Sequence, residues 1–226
     1  MSLSDLLGRA RHVLLDFDGP ICAVYGGTSD RAVADHLRTI IGDAWQLPEP
    51  VVETSDPLVV LRHCADADPG LLRRVEAEFI AQEVAAVATA TATPDAREAM
   101  TSLAASGHTI TVVSNNSAEA IRAYIERADL VDLVDGIIGR TRGRPDLMKP
   151  HPHPLRAAIV ERGADPSECV MVGDSGSDIE AARAAGTASI GYANRPTKRQ
   201  GLASLGPDAI IEAMNEVADA VNGMKS

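Results

Sequence analysis

Along the chain, short apolar runs rich in β-branched residues recur between stretches of helical periodicity. His12–Phe17 (HVLLDF), Thr109–Ser114 (TITVVS), Gly136–Ile138 (GII), Cys169–Val172 (CVMV) and Ala188–Gly191 (ASIG) are brief, apolar and followed by turn or polar residues. That is the pattern of buried strands. The intervals between them predict helices. Pro94–Ser106 opens with proline at a first-turn position and stops at Gly107, the expected start and stop signals. Ser117–Ala128 places Ala120, Ile121, Tyr124, Ile125 and Ala128 on one face, behind Ser117 as N-cap. His153–Glu161 stops at Gly163, and Asp178–Ala185 stops at Gly186. Strands alternating with helices predict a parallel sheet covered on both faces, a Rossmann-like three-layer α/β core.

One region breaks the alternation. Between Ile21 and Thr93 there is no strand pattern, only helical segments around Arg31–Ile41, Leu58–Cys64 and Leu71–Thr89, punctuated by Pro48, Pro50, Pro57 and Pro69. This predicts a small all-helical cap inserted after the first strand, over the carboxyl edge where open α/β sheets bind ligands. The expected division is a core of residues 1–20 and 94–226 and a cap of residues 21–93. Hinges for a cap that opens and closes are expected near Pro20–Gly27 and Thr91–Pro94.

Composition narrows the partners. A formal net charge of -11 and a pI near 4.9 argue against nucleic acid and anionic membranes, whose phosphates such a surface repels. A small phosphorylated metabolite remains compatible, because a bound cation inverts the local sign. Cys22, Cys64 and Cys169 are scattered, with no CxxC pair, which fits a reducing compartment. The apolar N-terminal run is broken by Asp5, Arg9, Arg11 and His12, unlike a signal peptide. No apolar stretch approaches the roughly 20 residues needed to span a bilayer. These features predict a cytoplasmic protein, and they leave its oligomeric state open.

Polar residues gather at the ends of the predicted strands. Asp16 and Asp18 end the first, within DFDG; Ser114, Asn115 and Asn116 end the second; Lys149 follows the third, in DLMKPHP; Gly173, Asp174 and Asp178 follow the fourth, in GDSGSD. In a parallel sheet all of these ends share one edge. Clustered carboxylates repel, and a divalent cation relieves them. An oxygen-only set suits Mg²⁺, which takes one or two carboxylates, substrate phosphate and waters. Lys149 adds a fixed positive charge for phosphate and for a nucleophilic carboxylate. Ser114 and the adjacent amides suit phosphate oxygens at a helix N-terminus.

These motifs, together with Lys149-Pro150 and the Ala-Ala-Arg-Ala-Ala-Gly run after Asp178, resemble the four ordered motifs of the haloacid dehalogenase-like superfamily, in its phosphoglycolate phosphatase and β-phosphoglucomutase-like branch. The resemblance covers roughly 11–20 and 94–221, with the insertion in the place of that family's helical cap. It implies a Mg²⁺-dependent phosphatase acting on a small phosphate monoester. Asp16 is then the nucleophile that becomes an aspartyl-phosphate, and Asp18 is the general acid and base. Ser114 and Lys149 hold the phosphoryl group, with Asn115 contributing through its amide. Asp16, Asp174, the backbone carbonyl of Asp18, and Asp178 directly or through water hold the metal. The aspartate at position 18 favours phosphorus over carbon as the centre attacked. Gly19-Pro20-Ile21 departs from the usual DGTL and leaves the substrate open.

Two rival functions share these residues: a sugar phosphomutase on the same core, and a phospho-accepting signalling or binding module. The length and the helical insertion oppose a receiver domain. Several neighbours have plainer readings. Asp178 alone reads as a helix cap, His151 and His153 as loop and helix-start residues, and Trp45 as an anchor between cap and core. Arg31, His36, Arg38, Arg62 and His63 read mostly as solvated residues.

Overall fold

The computed structural model describes residues 2–66 and 68–224, apart from the Asp43 side chain. The outer bounds 1 and 226 of the expected core lie outside the described residues. In chain order the first elements are α1 (Leu3–Arg9), β1 (His12–Leu15), β2 (Cys22–Ala23), α2 (Asp30–Ile41), α3 (Glu49–Glu53), α4 (Pro57–His63) and α5 (Pro69–Val87). There follow β3 (Thr91–Ala92), α6 (Ala96–Ala105), β4 (Thr109–Val113), α7 (Ala118–Arg127), β5 (Gly136–Ile138) and α8 (His153–Arg162). The chain ends with β6 (Cys169–Gly173), α9 (Gly176–Ala185), β7 (Ala188–Tyr192), α10 (Pro196–Ser204), β8 (Ala209–Ile211) and α11 (Asn215–Gly223).

Six strands form one parallel sheet in the order β5-β4-β1-β6-β7-β8. The chain leaves β1 towards β4 and β5, then returns to the other side at β6, so β1 sits at the switch point where such sheets bind ligands. Side chains alternate across the sheet as the pleat requires. Val13, Leu15, Ile110, Val112, Val170 and Val172 enter the core cluster shared with α1, α6, α7 and α11. Leu14, Val113 and Met171 enter the opposite cluster with α8 and α9. With both faces covered, the strands are largely apolar, and this made them legible as short hydrophobic runs.

The segment between β1 and β4 has a hydrophobic cluster of its own, formed by residues of α2 to α5 such as Leu37, Val60, Leu61, Val75 and Phe79. The last turns of α5 leave it: Ala86 and Val87 pack in the main core. Trp45 also packs against the helical cluster, with its Nε1 donating to His63 Nε2 at 3.1 Å. Its expected role as an anchor between cap and core is therefore corrected. A large amphipathic ring with one N–H settles wherever both apolar cover and an acceptor are at hand.

Three other expectations are amended. The 21–93 segment is not free of strands, because β2 and β3 pair antiparallel at its two ends. Pro94 lies outside α6, which begins at Ala96 after Asp95 takes a left-handed φ of 62°. Asp178 is not the cap itself; Ser175 is the N-cap of α9, and Asp178 stands at the third helical position. By contrast, Ser117 caps α7 as expected, accepting from Ala120 N–H, and Gly163 and Gly186 end α8 and α9 in left-handed conformations.

Candidate active site

The carboxyl ends of β1, β4 and β6 and the loop before α8 meet at a cavity of about 470 Å³, roofed by residues of the helical segment. Asp16, Asp18, Ser114, Asn115, Lys149 and Asp174 all line it. Asp178 does not, and it lies fully buried behind them.

Lys149 is the hub. Its ammonium is 2.9 Å from Asp16 Oδ1 and 2.6 Å from Asp178 Oδ1, and it donates to the Val113 carbonyl at 2.9 Å. With 2% of its surface exposed, it is a buried cation between two carboxylates, the pairing that makes such burial tolerable. Burial works against its charge, but Asp16 and Asp178 outweigh it and hold its pKa above the usual lysine value.

Asp16 Oδ1 also accepts the Phe17 N–H at 2.8 Å. Among the described residues no donor meets its second oxygen. Burial, together with the neighbouring Asp178 and Asp174 carboxylates, pushes the Asp16 pKa up to about 7 despite Lys149. Asp18 is raised to about 6, chiefly by burial, although its Oδ1 accepts the Val24 N–H at 2.9 Å. Asp174 is also raised by burial, opposed by Lys198 and Asn194.

Oxygens of Asp16, Asp174 and Asp178 lie within 4.8 Å of one another. Three hard oxygen donors suit Mg²⁺. Asp178, however, is already engaged at both oxygens: Lys149 takes Oδ1, and the Ser175 N–H and hydroxyl take Oδ2 at 3.0 and 2.7 Å. Asp16 and Asp174 are thus the side chains with room for an ion. The Asp18 carboxylate is not part of this group.

Two glycines make these approaches possible. A Cβ on Gly173 would stand 2.3 Å from the Asp178 carboxyl carbon, and one on Gly19, at φ 108°, would stand 2.5 Å from that of Asp174. Only glycine fits where backbone must come this near a side chain. This is the physical content of the glycines in DFDG and GDSGSD.

At the end of β4, Asn116 N–H donates to Ser114 Oγ at 3.3 Å. The Asn115 side chain is clamped to the Lys149 backbone, accepting its N–H at 2.8 Å and donating to its carbonyl at 3.0 Å. What Asn115 retains for a ligand is its backbone amide. Cys22 is buried beside the site, and burial drives its thiol pKa upward, so it is no nucleophile.

Sequence reading missed Asn194 and Lys198, both bonded to Asp174 Oδ2, the former at 3.1 Å. They follow β7, and that strand's carboxyl end lies at the same edge. Standing past the end of Ala188–Gly191 is the one sequence signal they carry, and it does not single them out from Arg195 or Arg199. It also missed Arg62, whose guanidinium reaches from α4 to the Lys149 carbonyl at 2.7 Å and lines the cavity. No sequence signal distinguished it from the other cap cations.

A family model described as a haloacid dehalogenase-like hydrolase matches residues 10–186. A phosphoglycolate phosphatase of Salmonella paratyphi A is 30% identical over 128 residues, 57% of this chain and 50% of the relative. One of Rhodospirillum rubrum is 32% identical over 160 residues, 68% of this chain and 63% of the relative. The alignment thus spans about half the length of the Salmonella relative. A haloacid dehalogenase-like hydrolase from Streptococcus pneumoniae superposes with a TM-score of 0.69 at 14% identity, covering 94% of this chain and 98% of that one, a likeness of fold. With the family model extending over most of the chain and every one of its polar motifs gathered at a single sheet edge, the chain belongs to the haloacid dehalogenase-like hydrolase family.

Proposed function

We propose that this chain is a Mg²⁺-dependent phosphatase that hydrolyses a small phosphate monoester through an aspartyl-phosphate on Asp16. One observation carries the reading: the Asp16 carboxylate, which lines the cavity, is held at one oxygen by Lys149 and Phe17 N–H, and its other oxygen meets no donor among the described residues. A nucleophile so held is oriented without being neutralised by a second donor.

In the first half-reaction, the free oxygen of Asp16 attacks phosphorus and the bond to the leaving oxygen breaks. Asp18 gives that oxygen a proton. In the second, Asp18 takes a proton from water as the water attacks phosphorus, which returns Asp16 as carboxylate. A group with a pKa of about 6 holds and releases a proton near neutrality, as both roles demand. Ser114 and the amides beyond it receive the phosphoryl oxygens, and Lys149 compensates their charge. Mg²⁺, held by Asp16, Asp174 and the Asp18 carbonyl, would supply electrostatic stabilisation of the transferring group. Asp178 holds Lys149 and the Ser175 turn in place.

Residues 21–93 act as a cap over a core of 1–20 and 94–226, and the roof residues Asp30, Asp56 and Arg62 meet the leaving group. The phosphoglycolate phosphatase names of the relatives and the cavity size support a small phosphorylated metabolite as substrate. The three unpaired buried cysteines accord with a cytoplasmic setting. The test is phosphate release from a panel that includes phosphoglycolate and an aryl phosphate, with and without Mg²⁺. Release that needs Mg²⁺ and vanishes in Asp16→Asn is the expected result. Mg²⁺-independent release, or release surviving that substitution, overturns the reading.

A further inference from the structure

Helix α5 closes the helical cluster with its first half and reaches the core with its second. There it carries Glu83, whose side chain is fully buried. Arg140, in the loop after β5 and also buried, donates to both Glu83 oxygens, at 2.9 and 3.1 Å. The same two oxygens accept Asn116 Nδ2 at 3.2 Å and the Ser117 N–H at 3.1 Å. The Arg140 guanidinium further donates to the Asn115 carbonyl at 2.8 Å and lies over the Phe79 ring, 4.5 Å from its centre. Three consecutive residues, Asn115, Asn116 and Ser117, are therefore held from behind by one buried ion pair, and Ser114 is linked to them through Asn116.

A buried ion pair is a poor way to fill volume, since apolar residues of the same size serve at least as well. What the pair does here that apolar residues cannot is present acceptors to Asn116 and Ser117. The Arg140 anchor is itself fixed tightly. A Cβ on neighbouring Gly139 would lie 2.4 Å from the Ala118 N–H nitrogen, so the β5 loop presses directly on the start of α7.

We propose that Glu83, locked by Arg140, is a positioning residue of the active site: it sets the backbone of residues 114–117 to receive a phosphoryl group and ties α5 to the core. The identity of the group received rests on the phosphatase reading; the fixing of the loop does not. A consequence follows for the cap. Swinging the second half of α5 away would part Glu83 from Arg140, Asn116 and Ser117, so this end of α5 stays docked on the core.

Arg140 is also the cation nearest buried Glu76, at 3.7 Å. The decisive variant is therefore the double replacement Glu83→Met with Arg140→Met made in a Glu76→Gln background, which removes the buried charges together and retains bulk. Three readouts are taken: the thermal midpoint, hydrogen exchange of the 114–118 segment, and orthophosphate affinity in the presence of Mg²⁺ by calorimetry. The expected result is a folded protein with faster exchange confined to 114–118 and orthophosphate affinity reduced about tenfold or more, as when a supporting partner of a site is lost. Parental exchange and parental affinity in the folded double variant overturn the proposal. If the double variant does not fold, Glu83→Gln, which halves the acceptors at nearly constant shape, is read the same way. Exchange raised uniformly along the chain in that variant, rather than at 114–118, also counts against it. Absence of orthophosphate binding by the parent chain would instead strike the phosphatase reading, and exchange at Ser117 would still decide the positioning role.

Discussion

At the core side of the cavity, Lys149 joins Asp16 at 2.9 Å to Asp178 at 2.6 Å, and all three are almost wholly buried. On the helical wall, Asp30, Ser55 and Asp56 are exposed, and Arg62 makes a single bond to the Lys149 carbonyl. The core wall hangs from the ends of hydrogen-bonded strands and from the helices and loops packed on them. The helical wall hangs from α2–α4, packed around a separate hydrophobic cluster. Chemistry needs preorganised charges, whereas choice among leaving groups tolerates, and uses, elements that shift. Disturbing the two walls should therefore produce different signatures.

The largest effect is expected from Asp16→Asn, which removes the proposed nucleophile and should lower Mg²⁺-dependent phosphate release by about 10³-fold or more. The same variant tests the electrostatics. The folded pKa of Asp16 lies near 7, above the ordinary carboxylate value. Its contribution to stability is therefore complete below about pH 4 and lost as pH rises through about 7. Without metal, Asp16→Asn should melt higher than the parent at alkaline pH and alike at acid pH. An unchanged difference across that window in calorimetric scans would contradict the assignment.

Lys149→Met comes next. It leaves Asp16 and Asp178 buried without their cation, an arrangement that typically costs about 3–5 kcal/mol. Urea unfolding should show that loss, and turnover should fall with it. On the other wall, Leu37→Ala opens a hole in the helical cluster, at a cost of about 2–5 kcal/mol. Hydrogen exchange should rise in α2 and α4, while Mg²⁺ affinity stays parental. A fall in Mg²⁺ affinity would show that the two walls are coupled more tightly than their separate clusters imply.

Metal binding offers a finer probe. Asp16 must lose its proton to hold the ion. With its pKa at about 7, Mg²⁺ affinity should weaken by about tenfold per pH unit below neutrality, the limit for one competing proton. Calorimetry in buffers of different ionisation enthalpy would reveal the released proton. The smallest effect belongs to Arg62→Ala. Losing one hydrogen bond of about 1 kcal/mol should raise KM roughly fivefold for some substrates and leave kcat on an aryl phosphate nearly unchanged. A kcat loss common to all substrates would move Arg62 from the selective wall to the catalytic one.

Five of the six strands in the main sheet, and the helices behind them, were legible from residue order. Their signals are local: apolar runs such as TITVV and CVMV, a serine before α7, glycines after α8 and α9. The last strand, Ala209–Ile211, and the helices α1, α10 and α11 were not singled out. Three apolar residues at a sheet edge, half-buried in part, carry too short a pattern. The β2–β3 ribbon has only two residues per strand and exists because distant segments meet, with Thr93 donating to the Ile21 and Gly19 carbonyls.

The site divides in the same way. Asp16, Asp18, Ser114, Lys149 and Asp174 could be named from sequence because each ends or follows a strand, and parallel strands bring such ends together whatever the packing details. Asn194 and Lys198 at Asp174, Arg62 above Lys149, and Glu83 beneath residues 114–117 could not be chosen among many similar residues. Their partners lie 20 to 87 positions away in the chain, and their burial is a property of the assembled layers. Local pattern determines which strands and turns form and which residue types stand at their ends. Only the packing of helices over the sheet decides which of many charged side chains loses its water and must find a partner there.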